Sequence, residues 1–111
     1  MTINEWSDAT AMAQAVQNKT VSPRELVEAT IREAERTNPK INAIVSQRYE
    51  KAIEEAETRD FSDKPFAGVP IFLKDLGQEQ AGEPSTAGSR LFTSYRAKES
   101  DNYVKKLEEL G

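Results

Sequence analysis

The sequence has 111 residues, with 15 Lys and Arg against 19 Asp and Glu, a net charge of -4 and 37% hydrophobic residues. That length fits one small domain or a piece of a larger one, and the apolar share is lean for a self-sufficient core. The acidic balance, without a basic run interleaved with aromatics, argues against nucleic acid as a partner, and the lack of Cys and His excludes disulfides, thiol chemistry and zinc sites built on those ligands.

No stretch approaches the roughly 20 apolar residues of a membrane span, so no membrane partner is expected. The opening Met1-Thr2-Ile3-Asn4-Glu5 lacks the basic head and apolar middle of a signal peptide, which reads as a cytoplasmic protein. From Ser7 to Asn18 the spacing of Ala9, Met12, Ala13 and Val16 predicts a first helix capped by Ser7 or Asp8. A second helix is announced by Ser22-Pro23-Arg24-Glu25, which supplies an N-cap, a proline for the first turn and the glutamate of a capping box. Its apolar side is Leu26, Val27, Thr30, Ile31 and Ala34, and Asn38-Pro39 is expected to end it, because a proline ring disfavours helical geometry in the residue before it.

Ile41 to Gln47 reads as a short strand or an extended connection. A third helix is expected from Tyr49 to Arg59, with Tyr49, Ala52, Ile53 and Ala56 on one side and an acidic, solvated face opposite. After a connector over Asp60 to Gly68, Val69-Pro70-Ile71-Phe72-Leu73 is apolar at every position, the pattern of a strand covered on both faces. Pro70 then belongs near its beginning or on an unpaired edge. Gly77 to Ser89 is a long polar loop, and a last helix is expected from Ser100-Asp101 through Tyr103, Val104, Leu107 and Leu110, with Gly111 at its cap.

Without His or Cys, base chemistry in this segment falls to lysine. A lysine serves near neutral pH only if its pKa is brought well below about 10.4 by burial or a nearby positive charge. Seven of the lysines, Lys19, Lys40, Lys51, Lys64, Lys98, Lys105 and Lys106, sit in turns or on polar helix faces, whereas Lys74 ends the apolar run. Ligands of open α/β sheets gather at such strand ends. Periodicity and charge alone also fit Lys74-Asp75 as an ordinary charged pair leaving a strand for solvent, and Gly77, Gly82 and Gly88 as simple turn residues. Glu79 and Glu83 offer an acid/base pair on paper, but two carboxylates in a polar loop read as solvated. There is no phosphate-binding glycine motif.

Gly68-Val69-Pro70-Ile71-Phe72-Leu73-Lys74-Asp75 and Pro84-Ser85-Thr86-Ala87-Gly88-Ser89-Arg90-Leu91 together resemble the amidase signature family. There a G-[IV]-P-apolar-K-D segment precedes a loop closing in T-x-G-S. The flanking runs Ser22 to Val27, Asn38 to Ala43 and Asp101 to Gly111 fall in the family's order, so the resemblance covers nearly the whole chain. It implies an α/β fold in which helices flank a mixed sheet, this chain being a mostly helical N-terminal part of a single amidase domain. It also implies hydrolysis of carbon–nitrogen amide bonds by a Ser-Ser-Lys arrangement without metal or organic cofactor, with Lys74 as the catalytic lysine and a small-molecule amide as substrate.

The family's two serines lie in a downstream Gly/Ser-rich segment, so Ser85, Ser89, Ser94 and Ser100 do not correspond to them, and the chain alone is expected to be inactive. Lys74-Asp75-Leu76 differs from the Lys-Asp-Asn usual in the amidase-like subunit of the tRNA-dependent amidotransferases. With the Gly82-Glu83-Pro84 loop it is more similar to bacterial amidases of the 6-aminohexanoate-cyclic-dimer hydrolase type. A small helical interaction or oligomerisation module is the reading from another class. An uncovered apolar strand is a template for pairing with another copy, so self-association of the isolated chain is expected.

Overall fold

The computed structural model describes Asn4 and residues 6–111. Met1, Thr2, Ile3 and Glu5, read above for a leader, lie outside the described residues. The described residues form four α-helices, α1 (Ala9–Gln17), α2 (Pro23–Ile41), α3 (Tyr49–Thr58) and α4 (Asn102–Leu110), with a short 3-10 turn at Arg90–Phe92. They divide into two compact units, one reaching to Pro70 and including Leu110–Gly111, the other Ile71–Glu109.

In the first unit, Asp8 caps α1 by accepting the amide of Ala11 at 2.8 Å. At the start of α2 the capping box is complete, with Ser22 Oγ accepting the Glu25 amide at 3.1 Å and Glu25 accepting the Ser22 amide at 2.7 Å. Those two bonds satisfy donors that a helix start leaves orphaned. The amide of Ser22, and after it the Ser22 hydroxyl, hold the Glu25 carboxyl below its ordinary range.

The end of α2 departs from expectation, since the helix runs through Pro39 to Ile41. A proline one turn from the end costs a single amide bond, and Asn38 ties down the residues that follow. Its backbone carbonyl accepts the amide of Asn42, which takes a left-handed φ of 50°, at 2.7 Å. Its side-chain oxygen accepts the amides of Ala43 and Ile44, both at 2.9 Å. The residues from 42 to 48 are an extended connection rather than a strand.

α3 packs against α2, and Arg24 on α2 reaches both Glu28, at 2.8 Å, and Glu57 on α3. Leu26, Val27 and Ala34 on α2 and Ala15 on α1 are buried in this unit. Gly68 is buried too, at φ 76°, with the ring of Pro23 so close that an added Cβ would lie 2.6 Å from Pro23 Cγ. The N-terminal turn of α2 and the beginning of the apolar segment are thus pressed together.

The strand expected over Val69–Leu73 is not formed, and no strand occurs among the described residues. The Val69 amide is spent on a turn to the Phe66 carbonyl at 3.1 Å, and Pro70 has no amide to give. A strand exists only as part of a ladder, and no described segment runs alongside to make one. Ile71 and Phe72 are each 55% exposed, so the apolar pattern is left uncovered within these residues.

In the second unit, Ala97 and Val104 are the buried apolar side chains. Ser100 and Asp101, expected to cap α4, turn their side chains the other way. Ser100 Oγ accepts the amide of Ala81 at 2.9 Å, and Asp101 accepts that of Glu79 at 2.8 Å. No described helix is long and apolar enough to cross a membrane.

Candidate functional site

Lys74 follows the extended apolar segment and begins a series of turns. Its amide donates to the side-chain oxygen of Gln78 at 2.8 Å. Asp75 then accepts hydrogen bonds through both its side chain and its backbone. One carboxylate oxygen accepts the amide of Thr86 at 2.7 Å, the other accepts the Thr86 hydroxyl, and the Asp75 carbonyl accepts the amide of Ala87 at 2.9 Å.

These bonds hold the Asp75 carboxyl below the usual aspartate range, the Thr86 hydroxyl first, then the Thr86 amide, with the Gly88 amide adding to them against the cost of burial. A carboxylate that accepts several hydrogen bonds is stabilised in its charged form. Ala87 and Gly88 both have left-handed backbones, at φ 50° and 72°. The turn they make returns the Ser89 amide to the Thr86 carbonyl at 2.9 Å. Ser89 Oγ in turn accepts the amide of Leu91 and caps the 3-10 turn.

The rest of the long loop is equally tied down. Residues 79–84 run back along 96–101. The Gly82 amide donates to Ala97 at 2.8 Å, the Ala97 amide to Glu83 at 3.1 Å and the Asp101 amide to Glu79 at 2.9 Å, with an antiparallel bridge between Pro84 and Arg96. The Tyr95 hydroxyl donates to Glu79 at 3.1 Å. That bond raises the phenol's pKa, burial and the neighbouring carboxylates of Glu79 and Asp101 adding to it. Glu79 therefore has a structural partner rather than standing as half of an acid/base pair.

Lys74 itself is exposed, and its ammonium makes no hydrogen bond or ion pair with a described residue. The burial expected of a base lysine is not supplied by these residues, for the same reason that the strand before it is uncovered. Ser89 and Ser100 are occupied as acceptors of backbone amides, and neither they nor Ser85 or Ser94 bond to Lys74. Reasoning from the sequence missed Asp75, Gln78 and Thr86 as partners. The signal available was the short polar Thr86 within T-x-G-S, but its mate lies 11 residues away, beyond any local rule.

Comparison with known proteins gives the family. Residues 25–111 match the model of the Amidase family. The 6-aminohexanoate-cyclic-dimer hydrolase of Paenarthrobacter ureafaciens is 37% identical over 111 residues, 98% of this chain and 22% of the relative's length. The lipoamidase of Enterococcus faecalis is 36% identical over 109 residues, 96% of this chain and 15% of the relative. Among solved structures, a 6-aminohexanoate cyclic dimer hydrolase complexed with substrate superposes with a TM-score of 0.88 at 37% identity, covering 98% of this chain and 22% of that one. This chain thus spans about a fifth of the length of the curated hydrolase it matches. Because the family model matches most of its length, residues 25–111, the chain belongs to the amidase family.

Proposed function

We propose that this chain is the N-terminal segment of an amidohydrolase and supplies its catalytic lysine, Lys74. The observation that carries this reading is the combination at one residue: Lys74 stands in the family's G-x-P-x-x-x-K-D pattern, its backbone is fixed on both sides, and its ammonium is left without a partner.

In this reading the neutral lysine takes a proton from a bridging serine. That serine takes the proton of a second serine as the latter attacks the amide carbonyl, and backbone amides stabilise the tetrahedral oxyanion. Collapse breaks the carbon–nitrogen bond, and the departing amine takes up the proton held by the base. Water, activated by the same relay, then hydrolyses the acyl-enzyme. Both serines and the oxyanion donors come from outside these 111 residues, as does the mixed sheet in which Val69–Leu73 becomes a covered strand. Similarity to 6-aminohexanoate-cyclic-dimer hydrolases over 98% of the chain makes small cyclic or linear amides of amino acids the first substrates to test, and Leu76 after Lys74-Asp75 favours hydrolysis over the amidotransferase role.

The test is amine release from 6-aminohexanoate cyclic dimer and from simple acyl amides. The product of the complete reading frame is expected to release amine, and the 111-residue chain to show background only. Amine release by the 111 residues alone would overturn the reading.

A further inference from the structure

Resting on the reading of Lys74 above, we propose that Asp75 is a positioning residue for that lysine. Through Thr86 and Ala87 it moors the 86–89 turn to the backbone leaving Lys74. Three acceptors of this one residue, both carboxylate oxygens and the carbonyl, are spent on two consecutive residues of the turn. On the other side of Lys74, its own amide is held by Gln78. The lysine's backbone is therefore fixed at both flanks while its side chain stays free.

Two further features support the assignment. Ala87 has a left-handed φ of 50°, unfavourable for a residue with a Cβ and kept only where surrounding bonds over-determine it. The Asp75 carbonyl is the acceptor of that residue's amide. In addition, a carboxylate next in sequence to a lysine is its readiest ion-pair partner, and an ion pair would hold the ammonium's proton in place. With its oxygens turned to Thr86, the Asp75 carboxylate makes no ion pair with the Lys74 ammonium. Asp75 thus does two things for a base at position 74: it fixes where the side chain starts, and it directs its own carboxylate to Thr86 rather than to the ammonium.

The test uses the product of the complete reading frame, with kcat normalised to folded enzyme and amide exchange measured on the same samples. Asp75→Ala and Thr86→Val are each expected to lower kcat by about 10- to 100-fold, the scale of a misplacement near 1 Å, with KM little changed. The double variant is expected to be no worse than the weaker single, because both remove one device. Thr86→Ser, which keeps the hydroxyl, is expected to retain most of kcat, a rescue that a merely space-filling role for Thr86 would not give.

In the same proteins the Thr86 amide should exchange slowly, and it should lose that protection in Asp75→Ala but keep it in Lys74→Ala. Retained kcat in Asp75→Ala with the Thr86 amide deprotected would overturn the positioning role, and retained protection of that amide would overturn the mooring itself. Protection that depends on Asp75, in a protein whose Lys74→Ala variant still turns over, would instead overturn the lysine's role.

Discussion

Replacing Lys74 by alanine in the complete protein is expected to remove nearly all amide turnover, a fall in kcat of about a thousand-fold or more. A positioned base contributes typically about 10²–10⁴-fold to a proton-transfer step, and here the same group serves both acylation and deacylation. The Lys74 side chain bonds to nothing in its unit, and the mooring of the turn runs through its amide and through Asp75. The substitution should therefore leave helix content and unfolding midpoint unchanged while activity disappears. Steady-state kinetics beside circular dichroism would check this, and a variant that keeps wild-type kcat would remove Lys74 from the mechanism.

The largest stability effect is expected at Gly68. Its φ of 76° costs an L-residue about 1–2 kcal/mol. A Cβ there would also meet Pro23 Cγ at 2.6 Å and Pro23 Cβ at 2.7 Å, closer than real contacts allow. Pro23 cannot swing aside, because its ring is part of the first turn of α2 and the capping box fixes that turn. Relieving such overpacking costs typically about 1–3 kcal/mol, so Gly68→Ala should lose about 2–5 kcal/mol in all. Gly77 has a similar φ of 71° but open space around it, and Gly77→Ala should show only the backbone cost. Urea unfolding followed by helix signal would separate the two, and equal shifts for both variants would contradict the close packing of Gly68 on Pro23.

How far the sequence foretold this structure varies with the range of the interaction involved. The start of α2 was legible because Ser22, Pro23 and Glu25 settle it among themselves. Its end was not, because Asn38 reaches forward to accept the amides of residues 43 and 44 just beyond the helix. The apolar run 69–73 was read as a covered strand. That pattern describes an environment the described residues do not contain, so the segment is extended and half exposed instead.

Lys74 was singled out by its place after the apolar run and by the family pattern. The role of Asp75 was hidden, because a Lys-Asp pair looks like surface charge until Thr86 is brought to it across 11 residues of loop. The loop itself was read only as long and polar. It is ordered, held by backbone amides that find Asp75, Ser100 and Asp101.

The central claim is that Lys74 activates a serine lying outside residues 1–111, and covalent labelling with a fluorophosphonate tests it most directly. Such probes phosphonylate a serine only when its hydroxyl is activated. In the product of the complete reading frame, mass spectrometry after labelling should find one modified serine beyond Gly111, and labelling should vanish in Lys74→Ala and be absent from the 111-residue chain. Modification of Ser85, Ser89, Ser94 or Ser100, or labelling that persists without Lys74, would contradict the account.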